Sequence, residues 1–184
     1  MNLAVGLGVA VAALAGVIAA VATVSGQSNG EAAPIYGVKI PEGYRDWRLI
    51  SIKRLTDQPG KLKQLRAQLG NNLAIAAFRE GKLPFPDGAI IAALHWNEAS
   101  SEADNRALAA GFPGAGLEST FAGSAVNVQF MVKDSKKYAA SGGWGYADFT
   151  NGKPGDQALH EKCFPCHLPA KDRDYVFTRY APTP

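Results

Sequence analysis

From Leu3 to Val24 every residue is Ala, Val, Leu, Ile, Gly or Thr, and no charged side chain occurs before Glu31. A run of this length matches the roughly 20 residues that cross a bilayer as a helix. It also suits the apolar region of a secretory signal, with a small-x-small cleavage site at Ala20-Val21-Ala22. Gly6, Gly8 and Gly16 favour the anchor instead, because small residues let membrane helices pack closely. A buried helix of a soluble domain fits worst of the three. The segment therefore divides the chain into residues 1–24 as signal or anchor, 25–34 as linker and 35–184 as the folded domain. Signal and anchor alike imply export, to the periplasm of a bacterium, with the domain either free or held at the inner membrane.

Beyond that segment the chain reads as a loop-rich globular domain. Its 47% hydrophobic and 19% charged residues exclude disorder, and the 20 Gly and 11 Pro lack a collagen-like period. A net charge of +3 gives no ground for nucleic-acid binding. Lys53-Arg54 and Lys61-x-Lys63-x-x-Arg66 are the densest basic patches, and we read them as solvated faces rather than as a site for an anion.

The apolar periodicity predicts strands over Trp47–Arg54, Ala89–Trp96, Ala125–Lys133, Trp144–Phe149 and Val176–Tyr180. In Ala125–Lys133, Val126, Val128, Phe130 and Val132 face one way, and Asn127, Gln129, Met131 and Lys133 the other. Leu62–Leu69 suits strand or helix. Asn71–Glu80 reads as a helix stopped by Gly81, and a second helix starts at Asp156. Glu98–Gly116 reads as a loop with one helical turn near Asn105–Ala110. The class is α+β: a mainly antiparallel sheet with short helices, one N-terminal apolar helix and a C-terminal attachment helix.

That last helix carries the chemistry. Residues 163–167 are Cys-Phe-Pro-Cys-His, and these two cysteines are the only ones in the chain. Spaced i, i+3, both thiols can reach the vinyl groups of one haem and form thioethers, with His167 held under the iron as its ligand. A zinc site would need about four ligands, and a thioredoxin-like redox pair would not need the histidine. The motif thus predicts one covalent haem c per chain. Ligation needs a neutral His167 whose other ring nitrogen donates to an orienting acceptor. Pro165 should end or kink the helix near Lys162–Phe164.

The opposite face of the iron decides between ligand binding and electron transfer. Electron carriers fill it with Met or His, yet neither follows His167. Upstream, Met131, His95 and His160 are the only side chains of that kind beyond Met1. His160 lies three residues before Cys163 and is badly placed to cross over. We read the iron as five-coordinate, with Met131 or His95 as the alternatives.

The residues resemble the cytochrome P-460 and cytochrome c′-beta proteins. The matching stretches are Tyr44–Ile50 (YRDWRLI), Phe85–Gly88 (FPDG), Val128–Ala139 (VQFMVKDSKKYA), Gly142–Gly145 (GGWG), Cys163–His167 and Asp174–Tyr180 (DYVFTRY). The resemblance spans roughly Ile35 to Pro184. It implies a mainly β fold, often a homodimer, with a five-coordinate c-type haem. The P-460 proteins oxidise hydroxylamine and carry a lysine cross-linked to the haem; the c′-beta proteins bind nitric oxide or carbon monoxide in an apolar pocket capped by aromatic residues. Aligned through Asp87-Gly88, the cross-linking lysine falls on Ala93, which has no amine. Lys82 is the nearest lysine, and Lys133, Lys136 and Lys137 are expected to be solvated. Phe78, Phe85, Phe121 and Phe130 could cap the pocket or simply fill the core. Arg179 could pair with a haem propionate, and Asp148 is either a pocket proton acceptor or a surface carboxylate.

Three functions follow as expectations. The first is a haem protein that takes up nitric oxide or a similar gas or nitrogen-oxide ligand. The second is a hydroxylamine-oxidising enzyme. The third is a membrane-tethered electron carrier of a respiratory complex, with a redox partner protein.

Overall fold

The computed structural model describes residues 30–55 and 63–181. The expected apolar helix within 1–24 lies outside them. Among the described residues no helix is long and apolar enough to cross a membrane.

Six strands form one antiparallel sheet in sequence order: β1 (Arg48–Leu55), β2 (Gln64–Gly70), β3 (Ile90–Ser100), β4 (Thr120–Lys133), β5 (Trp144–Thr150) and β6 (Lys153–Pro154). Four helices interrupt it: α1 (Asn72–Glu80), α2 (Glu102–Gly111), α3 (Gln157–His160) and α4 (Cys163–His167). The architecture is the expected mainly β one with short helices. The ambiguous segment 62–69 is strand β2, because Leu69 serves one face and Gln68 the other.

Alternation sorts side chains onto two faces. On one face Ile50, Ile91, Trp144 and Tyr146 pack with Ala74, Ile75 and Ala77 of α1, Phe85 and Val176. On the other, Leu69, Ala92, Phe130, Ala147 and Phe149 pack beneath the N-terminal segment through Ala33, Val38 and Tyr44. Ala33 is buried and bonds to Val38 through its backbone, so the fold begins slightly before Ile35. Asn71 ties α1 to the sheet: its Oδ1 accepts from Ala74 N at 3.0 Å and from Ile90 N at 3.1 Å. Gly81 ends the helix at φ 63°.

The segment 98–116 differs from the loop expected there. Strand β3 runs on to Ser100, and α2 is a full helix capped by Ser101, whose Oγ accepts from Asp104 N at 3.2 Å. None of its residues is buried. Cap and helix-forming composition hold it, so it shows no apolar stripe to read. Val176–Tyr180 is extended but joins no sheet. It crosses α1 instead, where Tyr180 stacks on Phe78 and accepts from Arg79 Nε at 3.1 Å.

Candidate functional site

On the α1 face, further along the strands, the sheet forms one wall of a cleft of about 390 Å³. Register aligns that wall into cross-strand rows. Gly70, Ile91, Met131 and Tyr146 form the first; Ser51, Gln68, Ala93, Gln129 and Asp148 the second; Lys53, Arg66, His95 and Asn127 the third. Leu159, Lys162, Cys163, Cys166, His167 and Phe177 line the cleft from other elements. All three motif side chains therefore face one cavity, opposite the polar-looking side of β4.

Local sequence places them. Asp156 caps α3 by accepting from Leu159 N at 2.8 Å. That helix ends at His160, and α4 restarts at Cys163 with Pro165 inside it. The break falls at Glu161–Lys162, at the leading edge of the Lys162–Phe164 stretch expected, and Pro165 sits in the first turn of α4. Burial pushes the Cys163 thiol up to about 11, with Asp148 and Cys166 adding to it. A reactive redox pair needs the opposite shift. Among the described residues no three His, Cys, Asp or Glu side chains converge as metal ligands.

His167 has the orienting acceptor that ligation requires. Its Nδ1 lies 2.6 Å from the carbonyl oxygen of Tyr175, to which it donates, leaving the Nε2 lone pair available to a metal. Burial lowers its pKa, only partly offset by that carbonyl, so the ring is neutral at neutral pH. Tyr146 and Phe177 flank it with ring centroids at 4.9 and 5.3 Å. Asp174 and Tyr175 are both left-handed, at φ 53° and 64°. The Asp174 carboxylate is held by Lys133 Nζ at 2.7 and 2.8 Å and by Phe85 N at 2.8 Å. Lys133, expected to be solvated, is thus buried in an ion pair, while Lys136 and Lys137 are exposed. Gly142 lies beneath the Tyr175 ring, where any Cβ would collide with it.

The other expected site residues separate. His160 is buried and satisfied: Nδ1 donates to Asp156 O at 2.7 Å and Nε2 accepts from Asp148 N at 3.2 Å. Asp148 is no surface carboxylate. It is buried, lines the cleft, and its Oδ2 accepts from Asn127 Nδ2 at 2.6 Å and Gln129 Nε2 at 2.7 Å. Met131 and His95 also line the cleft, and Met131 packs against the α1-side core. Phe78, Phe85 and Phe130 pack with the two cores, and Phe121 is exposed. The aromatic residues beside His167 are Tyr146 and Phe177 instead. Arg179 lines a second hollow with Lys82, Arg173 and Tyr180; the cations on the sheet wall of the cleft are Lys53 and Arg66.

A family model described as Cytochrome P460 matches residues 41–178. The chain belongs to the cytochrome P460 family. No curated protein matches it. Cytochrome P460 membership implies a haem cofactor, and the cleft fits one: two thiols a helical turn apart, an imidazole with one nitrogen already engaged, and apolar walls from Ile91, Ala93, Met131, Leu159 and Phe177. Of these features, sequence reasoning found the motif. It did not find the Tyr175 carbonyl, the Lys133–Asp174 pair or the inward turn of Lys53 and Arg66, since each depends on which elements meet.

Proposed function

We propose that the chain is an exported c-type cytochrome whose one haem is joined to Cys163 and Cys166, ligated by His167 and open on its other side to nitric oxide or a similar small ligand. When bound, the haem supplies an iron that takes up such a ligand. The chain's residues do the rest. The Tyr175 carbonyl fixes the His167 ring and its tautomer. Leu159, Phe177 and Ile91 line the cavity with apolar surface. Ala93 carries the reading: in the middle of the facing wall, between Gln68 and Gln129, it presents a methyl group and no amine for a cross-link.

Asp148 favours a second reading, hydroxylamine oxidation, because that reaction needs a proton acceptor beside the substrate. A membrane-tethered electron carrier would instead use Met131 or His95 as a second axial ligand. For partners we propose a second copy of the chain. Its contact would be the arm formed by the ends of β3 and β4 with α2, where Phe112, Leu117 and Phe121 are 58%, 46% and 46% exposed.

The test is titration of the ferrous holoprotein with nitric oxide, beside an assay of hydroxylamine turnover with an electron acceptor. One equivalent of nitric oxide should convert the spectrum, no turnover should occur, and Asp148→Asn should change nitric oxide binding less than threefold. Turnover that Asp148→Asn abolishes would replace this reading with the second.

A further inference from the structure

We propose that Lys53, Arg66, His95 and Asn127 form a binding site for a planar two-oxygen anion: either a carboxylate of the prosthetic group or a free oxyanion of the same shape. The inference rests on the haem reading above and specifies what the third row of the cleft wall is for.

The four residues are direct cross-strand partners, one on each of β1 to β4. Directly paired residues hold their Cβ atoms about 5 Å apart, so the row presents a continuous polar strip. Three buried atoms on it have no hydrogen-bond partner among the described residues: Arg66 Nε, His95 Nε2 and Asn127 Oδ1. His95 is only 3% exposed and lines the cleft. A buried polar atom without a partner costs about 1–3 kcal/mol. Of the three, Arg66 Nε is a donor, His95 Nε2 is a donor in one tautomer, and Asn127 Oδ1 is an acceptor placed toward His95, so the donors left for a polar occupant are those of Arg66 with Lys53 beside it.

The charge balance selects its sign. Among the described residues Arg66 makes one side-chain bond, Nη2 to Gln64 Oε1 at 3.0 Å, and no ion pair. Asp148, the carboxylate whose attraction reaches Arg66, stands on β5 in the neighbouring row with its Oδ2 taken by two amides. Burial lowers the Lys53 pKa, and Arg66 and then Arg173 lower it further. Burial also lowers that of Arg66, against the attraction of Asp148. An anion between these groups offsets the repulsion between Lys53 and Arg66 and favours the charged form of both. A guanidinium offers parallel donors to two oxygens, which selects a carboxylate-like shape. The basic patches at 53–54 and 61–66 thus have one member each turned inward, while Lys63 is exposed and Arg54 pairs with Glu98 at 2.7 Å.

The experiment uses holoprotein with Arg66→Met, Arg66→Lys, Lys53→Met and, as a control, Arg179→Met, each shown to carry haem and to melt cooperatively. Nitrite and formate are titrated while haem absorption is followed, and the propionate bending modes are read by resonance Raman. A saturable response that weakens about tenfold or more in Arg66→Met, and less in Arg66→Lys, identifies a free anion. No response, with propionate modes shifted in Arg66→Met and Lys53→Met but not in Arg179→Met, identifies the haem carboxylate. Haem present with neither change overturns the site while leaving the haem reading intact; a wild-type chain that never acquires haem overturns that reading instead.

Discussion

His167 Nδ1 and the Tyr175 carbonyl oxygen are 2.6 Å apart. The chain reaches that geometry through two successive left-handed residues, each costing about 1–2 kcal/mol for a non-glycine side chain. The buried Lys133–Asp174 pair holds the turn, and Gly142 makes room for the Tyr175 ring above it. The end of β4, the loop at Gly142 and the 174–175 turn therefore meet behind one imidazole.

Removing one member of that pair should cost more than removing both. Lys133→Met leaves the Asp174 carboxylate buried with only the Phe85 N–H, and should lower stability by about 3 kcal/mol. Lys133→Met combined with Asp174→Asn should recover a large part of it. Urea denaturation of the three holoproteins checks this, and the single variant should also shift the reduction potential because the His167 acceptor moves.

Gly142→Ala should be far worse than Gly37→Ala. Both glycines have positive φ, 69° and 65°, but a Cβ at Gly37 meets nothing within 4 Å, whereas at Gly142 it enters the Tyr175 ring. The Gly37 change should cost about 1 kcal/mol and the Gly142 change at least twice that. Thermal midpoints compare the two, and equal losses would detach Gly142 from the Tyr175 turn.

Stability should fall in acid through His95. Its folded pKa is lowered from 6.5 to about 4, chiefly by burial and then by Arg66. Between those values the unfolded chain holds the extra proton and the folded chain does not, so stability is complete above pH 6.5 and declines toward pH 4. The loss is about 3 kcal/mol. An anion on the row offsets the Arg66 contribution but not the larger one from burial. His95→Gln should flatten the stability profile between pH 6.5 and 4, measured by denaturant midpoints.

Much of this was legible in the sequence, for reasons that differ by element. Asn71 and Gly81 bracket α1 because caps are local chemistry, and Phe130 against Met131 separates the faces of β4 because strand alternation is local too. Helix α2 was not legible, since nothing packs on it to impose a period. Lys133 and Arg66 are expected at the surface, and Asp148 either there or in a pocket. Each is turned inward by partners in other elements: Asp174, the Asn127–Gln129 pair and the cleft itself. Residue type alone predicts solvent for all three. The Cys163–His167 motif was legible because its spacing carries its chemistry, but the carbonyl that steers the imidazole lies in a turn whose shape no short pattern encodes.

The most direct test is resonance Raman spectroscopy of the ferrous holoprotein, read for coordination number and for the iron–histidine stretching mode. The account predicts a five-coordinate high-spin haem with a histidine mode that moves when Lys133 is replaced by Met. A six-coordinate low-spin spectrum without that mode would show a second protein ligand on the iron and contradict it.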